Sequence, residues 1–176
     1  MVAIGLACLA PWSVAAEQDK ATFYDLGRPA SEAEIKAMDI DVAPIGAGLP
    51  PGSGTVHRGR QVFAAKCAAC HGPSAIEGPA DRLAGGHGTL KTPKPLKTVG
   101  SYWPYATTLY DYIYRAMPFN APQSLTPDEV YAVVAWLLYR NEIIPEDAVM
   151  DAHTLPAVQM PNRNGFVPDQ RPDLPK

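Results

Sequence analysis

The sequence predicts an all-α domain carried between two long irregular arms. Two observations predict it. Apolar residues recur at helical spacing over 55–69, 101–116 and 126–140. Most of the 19 prolines fall outside these stretches, where they discourage long regular elements. The 176 residues suffice for one domain with chain to spare. We divide them into a leader at 1–16, an N-terminal arm at 17–54, a helical domain at 55–144 and a C-terminal arm at 145–176. The formal net charge is −3 and no block of consecutive basic residues occurs, which argues against a nucleic-acid partner.

Residues 1–16 carry no charged side chain. The apolar run breaks at Pro11, and Val14-Ala15-Ala16 then precedes Glu17 in the manner of a cleavage site. This reads as an export signal, although no Lys or Arg stands near Met1. The run is too short to span a bilayer, so no membrane span is expected in the mature chain. Cys8 falls in the leader. In the N-terminal arm, Ser31 and Glu34 form a capping box for a short helix over 31–37, and a Gly- and Pro-rich stretch over 49–54 follows.

The helix at 55–69 places Val56, Gly59 and Phe63 on one face and leads into Cys67-Ala68-Ala69-Cys70-His71. C-x-x-C-H is the attachment signature of c-type haem. Each thiol can add across one haem vinyl group, and the adjacent His71 becomes the proximal iron ligand. A zinc site would need four ligands, and a thioredoxin-like dithiol would need a βαβ context. One motif implies one covalently bound haem c. Covalent haem is attached outside the bacterial inner membrane, so the leader and the motif agree on a periplasmic protein. Cys67 and Cys70 are both committed to haem, which leaves no disulfide.

Residues 72–100 show no sustained period and read as a long loop ordered by the cofactor. Lys91, Lys94 and Lys97 give it a small positive face, either simply solvated or able to steer an acidic partner. A helix over 101–116 follows, with Pro104 at its first position, and stops at Met117-Pro118. Thr126, Pro127 and Glu129 start the strongest helix, 126–140, with a capping box. Its apolar face includes Val130, Val133, Val134, Leu137 and Leu138, with Trp136 beside them.

These segments together resemble a class I cytochrome c fold over roughly 55–141. Gly59, Phe63 and Trp136 match the Gly and aromatics through which that family crosses its first and last helices. The resemblance implies Met117 as the sixth ligand, ahead of Met38, Met150 and Met160, and leaves His87 as a loop histidine. It also implies a backbone carbonyl after the motif as the partner of the His71 ring. Gly78-Pro79 supplies the candidate, with Pro79 preferred. Tyr102, Trp103 and Tyr105 stand where the family packs aromatics near the haem propionates, though plain core packing would explain them equally.

A narrower resemblance rests on Thr98-Val99-Gly100-Ser101-Tyr102-Trp103-Pro104-Tyr105, on Arg115-Ala116-Met117-Pro118, on Ala121-Pro122-Gln123-Ser124-Leu125, on Tyr24-Asp25-Leu26-Gly27-Arg28 and on Leu155-Pro156-Ala157-Val158-Gln159-Met160-Pro161. This set is similar to the cytochrome c subunit of bacterial sulfite or sulfane dehydrogenases of the Sox sulfur-oxidation pathway. It implies a molybdenum-cofactor subunit as partner and a soluble cytochrome c as electron acceptor, with no catalytic residue in this chain. The alternatives are a free electron carrier, the cytochrome subunit of another periplasmic dehydrogenase, or a haem enzyme with an open distal position. The arms hold Phe23, Tyr24, Leu26, Val149, Leu155, Val158, Met160 and Phe166, and at least one arm is expected to reach across the partner. Removal of 150–176 is therefore expected to spare the haem spectrum and weaken the complex.

Overall fold

The computed structural model describes residues 27–169 and 171. The expected leader and the apolar residues Phe23, Tyr24 and Leu26 lie outside the described residues. In chain order the structure runs α1 (Glu32–Met38), β1 (Ser53–Thr55), α2 (Val56–Lys66), α3 (Ala68–His71), α4 (Ala106–Ala116), α5 (Pro127–Arg140) and β2 (Val149–Asp151). Short 3-10 turns occur at Thr89–Lys91 and Leu155–Ala157. The fold is helix-dominated, as the sequence predicts.

α5 is the axis of the core. Thr126 Oγ1 accepts from Glu129 N–H, Glu129 returns a carboxylate to Thr126 N–H, and Pro127 opens the helix. Every residue from Val130 to Leu138 is buried. An apolar helix enclosed on all sides needs neighbours on all sides, and α2, α4 and the β1–β2 ribbon supply them. α2 crosses α5 at Gly59, where an added Cβ would fall inside the radius of the Ala132 carbonyl oxygen. One turn on, the Phe63 and Trp136 rings meet at 4.1 Å between centroids. α4 packs through Tyr110, whose ring lies 4.5 Å from that of Tyr131 on α5.

Two helices begin and end differently from the sequence pattern. The first helix breaks at Cys67, with φ −122° and ψ −33°, so the haem motif sits on its own turn, α3. α4 starts at Ala106, because Tyr105 is extended and caps it without a side-chain bond; Pro104 precedes the helix rather than opening it.

Described parts of both arms pack back on the domain. β1 pairs antiparallel with β2 in the register Ser53↔Asp151, Gly54↔Met150, Thr55↔Val149. Gly54 rests on the α5 backbone at Tyr131 and Ala132. Val42 N–H donates to Asp111 Oδ1 at 2.8 Å, Thr107 Oγ1 to Pro44 O at 3.0 Å, and Tyr131 OH to Pro50 O at 2.9 Å. Met150, Leu155, Val158 and Met160 are all buried in the core. Those four side chains cover apolar surface of the domain itself, so this part of the C-terminal arm packs on the domain it follows. α1 has no buried residue, although its capping box at Ser31 and Glu34 is complete.

Gly59→Ala should destabilise the fold by about 1–3 kcal/mol, the usual range for overpacking, despite the gain of about 1 kcal/mol in helix propensity. Denaturant midpoints at unchanged m-value measure it. Removing 150–176 should cost at least as much as one buried Leu→Ala change, about 2–5 kcal/mol. An unchanged melting temperature of the truncated chain would contradict the packing of the C-terminal segment.

Candidate haem site

α2 delivers the motif. Cys67 N–H closes α2 on Phe63 O at 2.9 Å, and Cys67 O then accepts from Cys70 N–H at 3.1 Å and His71 N–H at 3.0 Å. Cys67, Cys70 and His71 thus stand at i, i+3 and i+4 of one turn and share a face. Neither cysteine is in a disulfide. Burial pushes the Cys67 thiol up to about 11, so it stays protonated at neutral pH.

The chain after the motif winds back onto it. Glu77 Oε2 accepts from Ser74 N–H at 3.1 Å, and its carboxyl is held below the usual range chiefly by the Ser74 side chain. Gly78 lies so close to the Cys70 carbonyl that a Cβ would overlap the oxygen. Ala80 N–H donates to Cys70 O at 2.9 Å. This turn brings Asp81 O to 2.9 Å from His71 Nδ1. A carbonyl only accepts, so Nδ1 carries the proton and Nε2 keeps its lone pair for a metal.

The carbonyl beside the ring is that of Asp81, not that of Pro79. In a trans peptide the N–H and C=O point in opposite directions. The Pro79–Ala80 peptide aims its N–H at Cys70, so its carbonyl faces away from the motif. Asp81 is a residue that sequence reasoning missed. Its side chain is irrelevant to the contact, and a backbone acceptor leaves no mark in residue type.

Of the methionines in the described residues, Met38 is 82% exposed on α1, while Met150 and Met160 are buried in the core. Met117 is half-buried at the end of α4 and packs on the core. Cys67, Ala68, Ile76, Leu83 and Trp103 are likewise partly buried against the core. Tyr102 meets Phe166 edge-on at 5.2 Å and lies under Lys97 Nζ at 4.9 Å; Trp103 meets Tyr112 at 5.7 Å. Arg163 lies over the Tyr105 ring at 5.2 Å, and His87 is exposed. Among the described residues no group of three or more His, Cys, Asp or Glu gathers as a metal site. Haem needs none, since the porphyrin brings four nitrogen ligands. The residues present fit the group.

Residues 54–137 match the family model described as Cytochrome C oxidase, cbb3-type, subunit III. The crystal structure of the sulfane dehydrogenase SoxCD from Paracoccus pantotrophus contains a chain 47% identical to this one, covering 85% of this chain and 74% of that chain, with a TM-score of 0.78. The chain belongs to the cytochrome c family. The cofactor of this cytochrome is covalently bound haem c, and its chemistry is electron transfer. No curated protein is significantly similar to it in sequence. No helix among its described residues is long and apolar enough to cross a membrane.

Cys67→Ala or Cys70→Ala should leave haem attached through one thioether bond or lost altogether. Mass spectrometry of the denatured chain reads this directly, and two surviving thioether bonds would remove that cysteine from the site.

Proposed function

We propose that this cytochrome is a periplasmic, mono-haem electron-transfer subunit. It takes electrons singly from a molybdenum-cofactor subunit that oxidises sulfite or sulfane sulfur, and passes them to a soluble cytochrome c. The observation that carries this reading is the extent of the likeness to the SoxCD chain. It covers 85% of the sequence, well beyond the 54–137 of the family match. A likeness confined to the haem domain would support a cytochrome and nothing narrower.

In this reading Cys67 and Cys70 would anchor the macrocycle, His71 and Met117 would ligate its iron, and Tyr102 and Trp103 would border it. Bound haem supplies one-electron exchange between Fe(III) and Fe(II). The Asp81 carbonyl fixes the His71 tautomer and raises the basicity of Nε2. The soft Met117 thioether favours the reduced state. No residue of the chain is given a proton-transfer or nucleophilic role, because substrate oxidation belongs to the partner.

α1 supports a lasting partner. Seven-residue helices are marginal in water on their own, and this one exposes Ile35 and Met38 with no buried residue. A free carrier, or a subunit of another periplasmic dehydrogenase, is the second reading. The packing of 42–54 and 149–160 favours it in one respect: those segments have work to do without a partner.

Purification from the native host with metal analysis decides between the two. The subunit reading expects molybdenum to co-elute with the haem; a cytochrome eluting alone and free of molybdenum supports the carrier. The double change Ile35→Glu and Met38→Glu should weaken that co-elution while leaving the haem spectrum intact. Met117→Ala should leave haem covalently bound but open the sixth position. The haem should turn high-spin, lose its weak thioether-to-iron band in the far red, and fall in potential. An unchanged spectrum and potential would exclude Met117 as the ligand.

A further inference from the structure

We propose that Asn141, just past the end of α5, is a positioning residue for the proximal ligand. It clamps the segment that holds the Asp81 carbonyl against His71. The inference rests on the reading of His71 as the iron ligand and goes one contact further out.

Asn141 is 1% exposed and uses its amide fully. Nδ2 donates to Leu83 O at 3.1 Å and to Leu137 O at 2.9 Å; Oδ1 accepts from Gly85 N–H at 3.0 Å. One side chain thereby ties the last turn of α5 to two backbone groups of the loop. Leu137 O also accepts from Asn141 N–H at 3.1 Å, so backbone and side chain of one residue close the last turn of α5 on the same carbonyl. The loop comes close enough for this because Gly100 has no side chain: a Cβ there would overlap Asn141 Oδ1.

The clamp bears on His71 because of where it grips. Asp81 lies between two fixed points. On one side Ala80 N–H is bonded to Cys70 O; on the other Leu83 N–H is bonded to Ala75 O, both at 2.9 Å. Leu83 O is held by Asn141 and, at 3.3 Å, by Val99 N–H. The Ala80 anchor belongs to the motif itself. The Leu83 anchor leads through Asn141 to the core helix. Asn141 thus fixes the distal end of the short span whose middle carbonyl meets the ring. Loss of its amide leaves Leu83 O and Gly85 N–H short of a partner in a part-buried place, which favours movement of that span.

A hydrogen bond to Nδ1–H makes the imidazole a stronger donor to iron. A stronger donor favours Fe(III). Loosening the Asp81 contact should therefore raise the reduction potential. Water reaching the macrocycle, the outcome of a merely structural role, would favour Fe(III) and lower it. The sign of the shift separates the two.

The experiment uses the haem-loaded full chain and the variants Asn141→Leu, Asn141→Asp and Gly100→Ala. Asn141→Asp keeps the acceptor for Gly85 and loses both donors. Gly100→Ala leaves the amide in place and displaces it from the other side. NMR first checks the wild-type Fe(III) protein, where the His71 ring protons should be strongly hyperfine-shifted. Unshifted protons would refute His71 ligation itself. With ligation established, hydrogen exchange at His71 Nδ1 should quicken, and the potential should rise in each variant that remains six-coordinate. Unchanged exchange, or a potential that falls, overturns the role given to Asn141 and leaves the haem reading standing. Should Asn141→Leu fail to fold, the other two variants decide the matter alone.

Discussion

At Gly59 the backbone of α2 rests against the Ala132 carbonyl of α5 with no side chain between them. The closeness of that crossing sets the height of everything attached to α2. Phe63 can then reach Trp136 at 4.1 Å, and Cys67, one turn further, leaves the helix at the edge of the core instead of out in solvent. Lys66 Nζ, 3.1 Å from Glu129 Oε1, spans the same crossing at its rim. This is a half-exposed pair and so adds little by itself. The steric fit at Gly59 is the term that matters, because backbone cannot move aside as a side-chain end can.

The loop between the motif and α4 lacks regular structure, yet its order is built from the chain's own polar groups. Thr89 Oγ1 donates to Gly86 O at 2.7 Å and accepts from Leu96 N–H at 3.0 Å. Ser101 Oγ donates to Leu96 O at 2.6 Å, and Thr98 N–H returns to Ser101 Oγ at 2.9 Å. With Asn141 at its base, the loop meets the requirement that buried backbone groups find partners. Hydroxyl groups of the chain itself thus supply part of that order.

What was legible in the sequence is what residue type encodes locally. The capping boxes at Ser31 and Thr126 are patterns a few residues long, and both helices begin where those patterns place them. The haem motif and the Gly59, Phe63 and Trp136 crossing were readable for the same reason, with the resemblance to a known fold supplying the long-range part. What was not legible depends on where distant backbone goes. The Asp81 carbonyl is hidden because any residue carries one. Asn141 looks like an ordinary helix stop until the loop is seen to return to it. The C-terminal segment has no period because its buried residues, Met150, Leu155, Val158 and Met160, come from an irregular path. Of the apolar residues named there from sequence, Leu155, Val158 and Met160 are buried while Val149 and Phe166 are exposed, and residue type alone does not say against which surface.

The β1–β2 ribbon has a consequence in time. Its paired residues Ser53 and Asp151 lie almost a hundred positions apart, a separation that makes closure slow and late. A chain made from its N-terminus presents Cys67, Cys70 and His71 long before β2 exists to pair with β1. During that interval the turn that will carry haem belongs to an unclosed structure. Closure of the ribbon is therefore the last of these contacts that chain synthesis permits.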